Sequence, residues 1–247
     1  MKLEGQLAVV TGGASGMGQA CASLLKQRGA RVVVWDLNVA SLEEHGIACD
    51  VRSDKSVENA MKETIGKFGV PRIGINCAGI APAKRMVGKE GAMPLDAFKE
   101  VIDINLVGTF NVMRVLAKEM TALTTIGDTD ERGVIINTAS IAAYEGQIGQ
   151  VAYSASKGGV VAMTLPAARE LAQFGVRVNT IAPGLIATPL LLNMPDDVQT
   201  SLASTVLFPK RLGKPEEFAE LAIHLIENCF INGETVRLDG ALRMHPR

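Results

Sequence analysis

A glycine-rich turn near the N-terminus restricts the fold more than any other feature of the sequence. The apolar run 7–10 (Leu-Ala-Val-Val) before it is typical of a buried parallel strand, and a helical pattern after it extends to about Arg28. The turn itself, residues 11–18, reads Thr-Gly-Gly-Ala-Ser-Gly-Met-Gly. Backbone N–H groups of such a turn, with the N-terminus of the next helix, can bind a pyrophosphate. The order of elements therefore predicts a nucleotide-binding unit, with an ordinary glycine-rich loop as the alternative.

Apolar runs and helical patterns alternate along the rest of the chain. Further strands are predicted at 31–35, 47–49, 72–75, 134–138, 176–181 and 234–238, and helices at 53–68, 95–120, 153–174 and 215–228. This alternation predicts a Rossmann-like, doubly wound α/β fold with a parallel sheet of about seven strands. A length of 247 residues suits a single domain over 1–247, with a substrate-lid segment around 185–214.

Three segments between these elements lack a clear period. Residues 38–46 are too few for a full helix, and residues 80–94 are predicted to form a loop. The polar segment 121–132 is predicted to lie at the surface.

The overall charge and the cysteines argue against several classes of function. A formal net charge of −1 gives no reason to expect nucleic-acid binding. We expect reduced thiols and no metal site, because no two cysteines form a CxxC pair and none lies in a histidine cluster; they are Cys21, Cys49, Cys77 and Cys229. No apolar run reaches the about 18 residues of a membrane-spanning helix. Residues 1–6 resemble no targeting signal, so we expect a cytoplasmic protein that does not contact a membrane.

An acidic residue at the end of the second predicted strand favours one coenzyme. Asp36 lies 18 residues after Gly18, near the spacing at which a carboxylate binds the ribose hydroxyls of a dinucleotide. A carboxylate there repels a 2′-phosphate, so NAD is favoured over NADP. Leu37, rather than an arginine, follows it. The alternative is a turn aspartate at a strand end.

Tyr153 and Lys157 form a candidate acid–base pair. Because they are four residues apart, they project from one face of a predicted helix. A tyrosine is a poor acid–base catalyst at its reference pKa of about 10, but a neighbouring cation favours the phenolate. Ser140, just past a predicted strand, could hold a substrate oxygen. Together these residues indicate proton transfer at a C–O group, and an exposed helix face is the alternative.

Two further polar positions need an explanation. Asn105 falls in the middle of a long predicted helix, where asparagine is unfavourable. A structural hydrogen bond and a catalytic role would each account for it. The segment 76–79, Asn-Cys-Ala-Gly, follows a predicted strand at the end where open α/β sheets bind ligands.

These motifs, in this order, resemble the short-chain dehydrogenase/reductase family over nearly the whole chain. The segment 76–79 is similar to the family's Asn-Asn-Ala-Gly motif, with cysteine in the second place. The resemblance implies a catalytic tetrad of Ser140, Tyr153, Lys157 and Asn105, in which Asn105 holds a water between Lys157 and solvent. It implies substrate contacts from Ser140, Gln147, Tyr153 and Leu191. It also implies NAD as the cofactor, bound by Gly12, Ser15, Gly16, Met17, Gly18, Asp36, Leu37, Asp50, Val51, Asn76, Ala78, Gly79, Tyr153, Lys157, Pro183, Gly184 and Thr188.

Several stretches are similar to one subgroup, the type 2 3-hydroxyacyl-CoA dehydrogenases, also known as multifunctional hydroxysteroid dehydrogenases. They are 132–140, 145–147, 181–185, 232–234 and 237–241, with insertions near 84–91 and 121–132, whereas 38–50 is shorter than in the subgroup. The resemblance implies NAD-dependent oxidation of a 3-hydroxyacyl-CoA to the 3-oxoacyl-CoA, in fatty-acid or branched-chain acyl degradation. The first alternative is oxidation of a hydroxysteroid or another secondary alcohol. Reduction of 3-oxoacyl carrier-protein thioesters and a non-catalytic, cofactor-binding scaffold subunit rank lower.

Two basic clusters and one apolar stretch are candidates for further substrate contacts. The first basic cluster comprises Lys84, Arg85 and Lys89, and the second comprises Lys210, Arg211 and Lys214. One interpretation is that they bind the phosphates of coenzyme A, and the alternative is that they are solvated surface residues. The apolar stretch comprises Leu190, Leu191, Leu192 and Met194. The interpretation that we favour is a mobile lid over an acyl chain or a steroid, and the alternatives are a place in the core or in a subunit interface.

The family resemblance also implies a homotetramer. In that assembly the helices from Leu95 and from Gln150 would pack across one interface, and the tail from Ala241 would contribute to another.

Overall fold

The computed structural model describes residues 1–42 and 45–246, apart from the side chain of Leu190, and its centre is a parallel sheet. In chain order the strands are β1 (Leu7–Thr11), β2 (Arg31–Asp36), β3 (Gly46–Ala48), β4 (Ile73–Asn76), β5 (Val87–Gly88), β6 (Gly91–Ala92), β7 (Gly133–Thr138), β8 (Val176–Pro183) and β9 (Thr235–Leu238). Seven of them pair in parallel in the order β3-β2-β1-β4-β7-β8-β9, while β5 and β6 form a separate antiparallel hairpin. The predicted doubly wound sheet of about seven strands is thereby confirmed.

Helices cover both faces of the sheet. They are α1 (Gly16–Gln27), α2 (Asp54–Phe68), α3 (Leu95–Ile102), α4 (Gly108–Thr121), α5 (Ala142–Glu145), α6 (Val151–Ala172), α7 (Pro189–Leu192), α8 (Asp196–Ser204) and α9 (Pro215–Glu227). The start of α2 lies where it was predicted, because the side chain of Ser53 accepts a hydrogen bond from the N–H of Ser56. The short helices α5, α7 and α8 were not predicted.

Successive residues of β1 pack into two separate cores. Ala8 and Val10 contact the core that includes residues of α1 and α9, whereas Leu7 and Val9 contact the core that includes residues of α2 and α4. Both faces of the strand are therefore buried, which explains why it is a continuous apolar run rather than an alternating one.

The strand order reverses between β1 and β4, and the ligand clefts open there. The chain extends the sheet towards β2 and β3 on one side and towards β7, β8 and β9 on the other. The connections that leave the carboxyl ends of β1 and β4 therefore diverge, and a crevice forms between them. The glycine-rich turn after Thr11 and the segment 77–79 after β4 border this crevice.

The helix predicted at 95–120 is interrupted around Asn105. Residues 103–107 form a π-helical turn between α3 and α4, and Asn105 is fully buried within it. Its side chain accepts a hydrogen bond from the N–H of Ile80 and donates one to the carbonyl of the same residue. π-Helical turns occur frequently at functional positions of helices. An asparagine that is unfavourable in a regular helix is thus satisfied by a loop that precedes the helix.

The segment 121–132 contains a buried carboxylate, so its predicted surface position is wrong at Glu131. This residue is 5% exposed, and its carboxylate lies 2.9 Å from the guanidinium of Arg177 in β8. The two partners are 46 positions apart in sequence. Pairing at that separation leaves no local pattern from which the burial could be predicted.

The remaining irregular segments differ in how much of them can be described. Within residues 38–46, Glu43 and Glu44 lie outside the described residues. The predicted lid segment 185–214 contains α7 and α8, and Leu191 within it is buried. None of the helices in the described part of the chain combines the length and the hydropathy that crossing a bilayer requires.

Candidate active site

The first cleft, here called the coenzyme cleft, follows the carboxyl ends of β1, β2 and β4. Its cavity volume is about 450 Å³, and it opens to solvent. Most of the residues that were predicted to bind a dinucleotide line it: Gly12, Ser15, Gly16, Met17, Gly18, Asp36, Leu37, Asp50, Val51, Ala78, Gly79 and Thr188. The sequence assigned no coenzyme contact to the eight others that border it: Trp35, Cys49, Arg52, Cys77, Ile80, Glu100, Ile104 and Pro189. These residues lie in β2, after β3, after β4, in α3, in the π-helical turn and in α7, so no single motif contains them.

The glycines of the turn permit close approach of main-chain segments. Gly12 has a φ of +64°, and a Cβ there would lie 2.8 Å from the backbone nitrogen of Ala78. A Cβ at Gly18 would overlap the carbonyl oxygen of Gly12. Side chains at these positions would push the main-chain segments apart, whereas glycines let the segments pack closely and leave main-chain N–H groups accessible to a pyrophosphate. The residues present therefore fit a dinucleotide.

Asp36 lies at the end of β2 and lines the coenzyme cleft. Its two carboxylate oxygens accept hydrogen bonds from the N–H groups of Ala14 and Asn38, each at 3.1 Å. These bonds fix the carboxylate at the end of β2 and leave lone pairs for further donors, because an ionised carboxylate has about four acceptor positions.

A second carboxylate in the same cleft is already paired. Asp50 accepts a bidentate hydrogen bond from the guanidinium of Arg52, which lowers the pKa of Asp50. The cleft therefore contains three carboxylates, those of Asp36, Asp50 and Glu100, and one guanidinium. This charge balance is unfavourable for a phosphate beyond the two of a dinucleotide's pyrophosphate.

The second cleft, here called the substrate cleft, adjoins the first and has a cavity volume of about 440 Å³. Ser140, Tyr153 and Lys157 line it together with the predicted substrate contacts Gln147 and Leu191. Pro183 and Gly184 line this cleft rather than the first. The residues common to both clefts join them into one crevice: Met17, Cys77, Gly79, Ile80 and Thr188.

Lys157 is held by the end of β7. Its ammonium group donates a hydrogen bond to the carbonyl of Thr138 at 2.7 Å and lies 5.9 Å from the ring centroid of Tyr153. Burial lowers the pKa of Lys157 to about 8, while the charge of Cys77 acts in the opposite direction. The amine is therefore mostly protonated at neutral pH but less strongly than an exposed lysine.

Tyr153 is a neutral phenol in the protein without ligands. Burial raises its pKa above the ordinary value, and a hydrogen bond with Ser140 partly offsets that increase. We expected the lysine to favour the phenolate; in this structure burial dominates instead. A further positive charge in the cleft would lower the pKa of Tyr153 and so favour proton removal.

The hydroxyl of Ser140 is positioned by the main chain around it. The N–H groups of Ala139 and Ile141 donate to carbonyls of β8 at 2.8 and 3.0 Å, which continues the β7–β8 pairing past the end of the strand. The Ser140 oxygen accepts a hydrogen bond from the N–H of Ala142 at 3.1 Å, at the start of α5. The predicted position just past a strand is thus a fixed corner, with the hydroxyl lining the substrate cleft.

Asn105 and Asn76, both predicted site residues, line neither cleft. Asn105 donates a further hydrogen bond to the hydroxyl of Ser156 at 3.1 Å. This bond links the π-helical turn to α6. Asn76 is buried and donates to the side chain of Asn137 at 2.8 Å, which links β4 to β7. In this structure both side chains stabilise the elements that carry the site.

The C-terminal tail forms part of the substrate cleft of its own chain. Met244 lines the cleft, and the side chain of Gln147 donates a hydrogen bond to the carbonyl of His245 at 3.0 Å. Arg237 of β9, just before the tail, forms a bidentate ion pair with Glu145 of α5, at 2.8 and 3.0 Å. This pair holds the start of the tail next to α5. The sequence suggested an intersubunit role for this tail and gave no signal for the intrachain contact.

The two basic clusters differ in structure. Lys84 and Arg85 are exposed on the loop that contains Ala83, a residue lining the substrate cleft, and Lys89 is exposed in the turn between β5 and β6. Arg211 of the other cluster is paired with Glu217 at 2.6 Å, and this pair lowers the pKa of Glu217 to about 2. The first cluster therefore retains its charges for a ligand better than the second.

Comparisons with known proteins identify relatives over nearly the whole chain. A family model described as enoyl-(acyl carrier protein) reductase matches residues 12–242. The 3-hydroxyacyl-CoA dehydrogenases type-2 of Bos taurus and Homo sapiens are each 51% identical over 255 residues, covering 99% of this chain and 97% of the relative. The crystal structure of 3-hydroxyacyl-CoA dehydrogenase type-2 from Mycobacterium avium is similar at a TM-score of 0.91 and 40% identity, covering 98% of both chains.

Proposed function

The chain belongs to the short-chain dehydrogenase/reductase family, and from this premise we propose that it oxidises 3-hydroxyacyl-CoA thioesters to 3-oxoacyl-CoA thioesters with NAD. The observation that carries the proposal is that Ser140, Tyr153 and Lys157 line an apolar cleft continuous with the coenzyme cleft. Full-length similarity to proteins named 3-hydroxyacyl-CoA dehydrogenase type-2 supports the substrate class.

The proposed mechanism assigns one task to each polar side chain. A dinucleotide held by the residues of the coenzyme cleft would supply the hydride acceptor for the alcohol carbon and a positively charged nicotinamide ring. Ser140 holds the substrate oxygen, and Tyr153 takes the hydroxyl proton as the C–O bond becomes a carbonyl. Lys157 stabilises the phenolate and binds the ribose next to the reacting ring.

The alternative substrates use the same machinery. A hydroxysteroid or a simple secondary alcohol would also present its hydroxyl to Tyr153, and Met194, Val198 and Leu202 would cover either an acyl chain or a steroid. A purely structural, cofactor-binding role is disfavoured because the three polar side chains converge on one cleft.

A substrate panel tests the proposal directly. Reduction of NAD would be followed by absorbance with 3-hydroxyacyl-CoA esters of several chain lengths, matched hydroxysteroids and simple secondary alcohols. We expect the highest kcat/KM for an acyl-CoA. A higher kcat/KM for a steroid or alcohol would keep the mechanism and overturn the substrate, and turnover of none of them would favour the scaffold role.

The coenzyme preference depends on Asp36 in this proposal. Asp36→Ser should lower the preference for NAD over NADP by roughly tenfold or more, because a charged acceptor of a hydrogen bond contributes about 1.5–3 kcal/mol. Ratios of kcat/KM for the two coenzymes measure this preference. Glu100→Gln, which removes the same charge elsewhere in the coenzyme cleft, is the matched control. Equal ratios in the Asp36→Ser variant and the unmodified protein would show that another group selects the coenzyme.

The loop that contains Lys84 and Arg85 is proposed to attract the phosphates of coenzyme A. Lys84→Glu/Arg85→Glu should raise KM for a 3-hydroxyacyl-CoA several-fold with little change in kcat, and added salt should reduce the difference. The same acyl group on N-acetylcysteamine, which has no phosphates, should show no such increase.

A control variant separates local from overall charge. Lys55→Glu/Lys62→Glu on the exposed face of α2 makes the same change in net charge away from both clefts. An equal increase in KM for that variant, or for the phosphate-free thioester, would contradict a phosphate contact at Lys84 and Arg85.

We further propose that the protein assembles as a homotetramer. Val107, Phe110, Val151 and Leu165 expose large apolar side chains on the helical stretches that would pack across an interface. The mass of the assembly in solution tests this. A cytoplasmic location stays a prediction from the sequence.

A further inference from the structure

The C-terminal tail, residues 241–246, leaves β9 through a strained corner. Ala241 has a φ of +62°, in the left-handed region that alanine rarely adopts, and Gly240 before it has a φ of +57°. The N–H groups of Ala241 and Leu242 both donate hydrogen bonds to Asp239, to its carboxylate and its carbonyl respectively, at 3.0 Å. These contacts hold the corner in an unfavourable conformation and therefore fix the direction of the tail.

Burial alternates along the first part of the tail. Leu242 is buried and Met244 is half-buried, whereas Arg243 and His245 are exposed. Such alternation is typical of an extended segment in which every second side chain turns towards the protein. Met244 is thereby directed towards the substrate cleft, which it lines.

Two hydrogen bonds hold the end of the tail against the segment between α5 and α6. The side-chain amide of Gln147 donates to the carbonyl of His245, and the N–H of Ile148 donates to the carbonyl of Pro246, each at 3.0 Å. Gln147 itself lines the substrate cleft. One wall of the cleft is therefore built from two segments that lie 98 positions apart in sequence.

A network of ion pairs holds the tail just before Met244. The guanidinium of Arg243 lies 3.2 Å from the carboxylate of Asp239 and 3.4 Å from that of Glu145. Arg237 pairs with the same two carboxylates, at 2.7 and 2.8 Å. Exposed ion pairs stabilise more when several charges form a network. Met244 is thus anchored on both sides, by its neighbour before it and by the hydrogen-bonded carbonyls after it.

Other apolar side chains of the cleft come from the lid segment and are held less firmly. Met194, Val198 and Leu202 line the cleft at intervals of four residues, so they lie on one side of the stretch that includes α8. All nine residues of α8 are at least partly exposed. A wall with so little core contact can move with substrates of different size, whereas the anchored tail sets a fixed limit.

We propose that Met244 determines how large an apolar group the substrate cleft accepts, and that Arg243 is the residue that positions it. The inference rests on the proposed oxidation of a 3-hydroxyacyl group in this cleft. The tail limits the cavity volume of about 440 Å³. A longer chain has to displace Met244 against the contacts of the tail, which lowers kcat/KM for long chains relative to short ones.

Substrates of increasing length test the role of Met244. Values of kcat/KM would be measured for 3-hydroxyacyl-CoA esters from short to long chains and, in parallel, for 2-alkanols of the same lengths. Met244→Ala should raise the ratio of kcat/KM for long over short chains by roughly tenfold or more, because one methylene in an apolar pocket already changes discrimination by about 10–200-fold. Met244→Trp should lower that ratio. Phe230→Ala, which removes an exposed apolar side chain outside both clefts, should leave it unchanged.

The role of Arg243 requires a readout that a general loss of stability would not change. Arg243→Gln should raise the same ratio, though less than Met244→Ala does. Arg243→Lys, which keeps the charge, should retain the ratio of the unmodified protein. Combined with Met244→Ala, Arg243→Gln should add no further shift, because the arginine acts through the methionine.

The two substrate series separate this inference from the proposed function. An unchanged ratio in Met244→Ala, with the thioesters still oxidised, would overturn the inference alone. Oxidation of the alcohols only, with the ratio shifted, would overturn the thioester substrate and support the inference, whereas turnover of neither series would overturn both. An equal loss at every chain length in Arg243→Gln, or an additional shift in the double variant, would remove Arg243 from the proposal.

Discussion

Replacement of Tyr153 by phenylalanine should lower kcat for alcohol oxidation by about 10²–10⁴-fold, the range typical of losing a general acid–base group. The substitution removes one oxygen atom and leaves a ring of similar shape in the substrate cleft. Nothing else in the proposed mechanism can take the hydroxyl proton, because Lys157 donates to Thr138 and is mostly protonated at neutral pH. A loss of about 10³-fold corresponds to about 4 kcal/mol of transition-state stabilisation.

Binding of the coenzyme provides the control for this variant. Trp35 is the single tryptophan of the chain and lines the coenzyme cleft, so we expect its fluorescence to change when NAD binds, independently of turnover. The Kd for NAD should be nearly unchanged in Tyr153→Phe. Full turnover in the variant would remove Tyr153 from the mechanism, and loss of both turnover and NAD binding would indicate a structural effect instead.

The features that the sequence predicted correctly depend on residues close to one another along the chain. The glycine-rich turn is flanked by its own strand and helix, and alternation of apolar runs was sufficient to predict the sheet. Tyr153 and Lys157 are one helical turn apart on α6, so their common face follows from helical geometry alone.

The features that were missed or misjudged depend on distant partners. The π-helical turn at Asn105 is stabilised by Ile80, and the tail residue Met244 reaches the substrate cleft through contacts with Gln147 and its neighbours. The depth at which Tyr153 is buried also depends on the whole cleft, which explains why its pKa differs in direction from the expectation. A local pattern contains no information about such contacts.

The buried ion pair between Glu131 and Arg177 is the position where a conservative change should cost the most stability. The guanidinium of Arg177 donates to the carbonyls of Leu225, Ile226 and Ile231 at 2.6–2.9 Å, and the carboxylate of Glu131 provides its countercharge at 2.9 Å. The pair therefore joins the segment before β7 and the strand β8 to the end of α9.

Glu131→Gln should lower the free energy of unfolding by about 3–5 kcal/mol, because it leaves a buried guanidinium without a countercharge. Urea denaturation at fixed protein concentration, followed by circular dichroism, measures the change. Glu63→Gln is the matched control, since Glu63 forms an exposed ion pair with Lys67 on α2 and such pairs contribute about 0.3–0.5 kcal/mol. Equal shifts of the two midpoints would mean that water or a rearranged side chain compensates Arg177. A large shift for Glu131→Gln, with the m-value unchanged, would show that a carboxylate from the polar segment stabilises the contact between β8 and the end of α9.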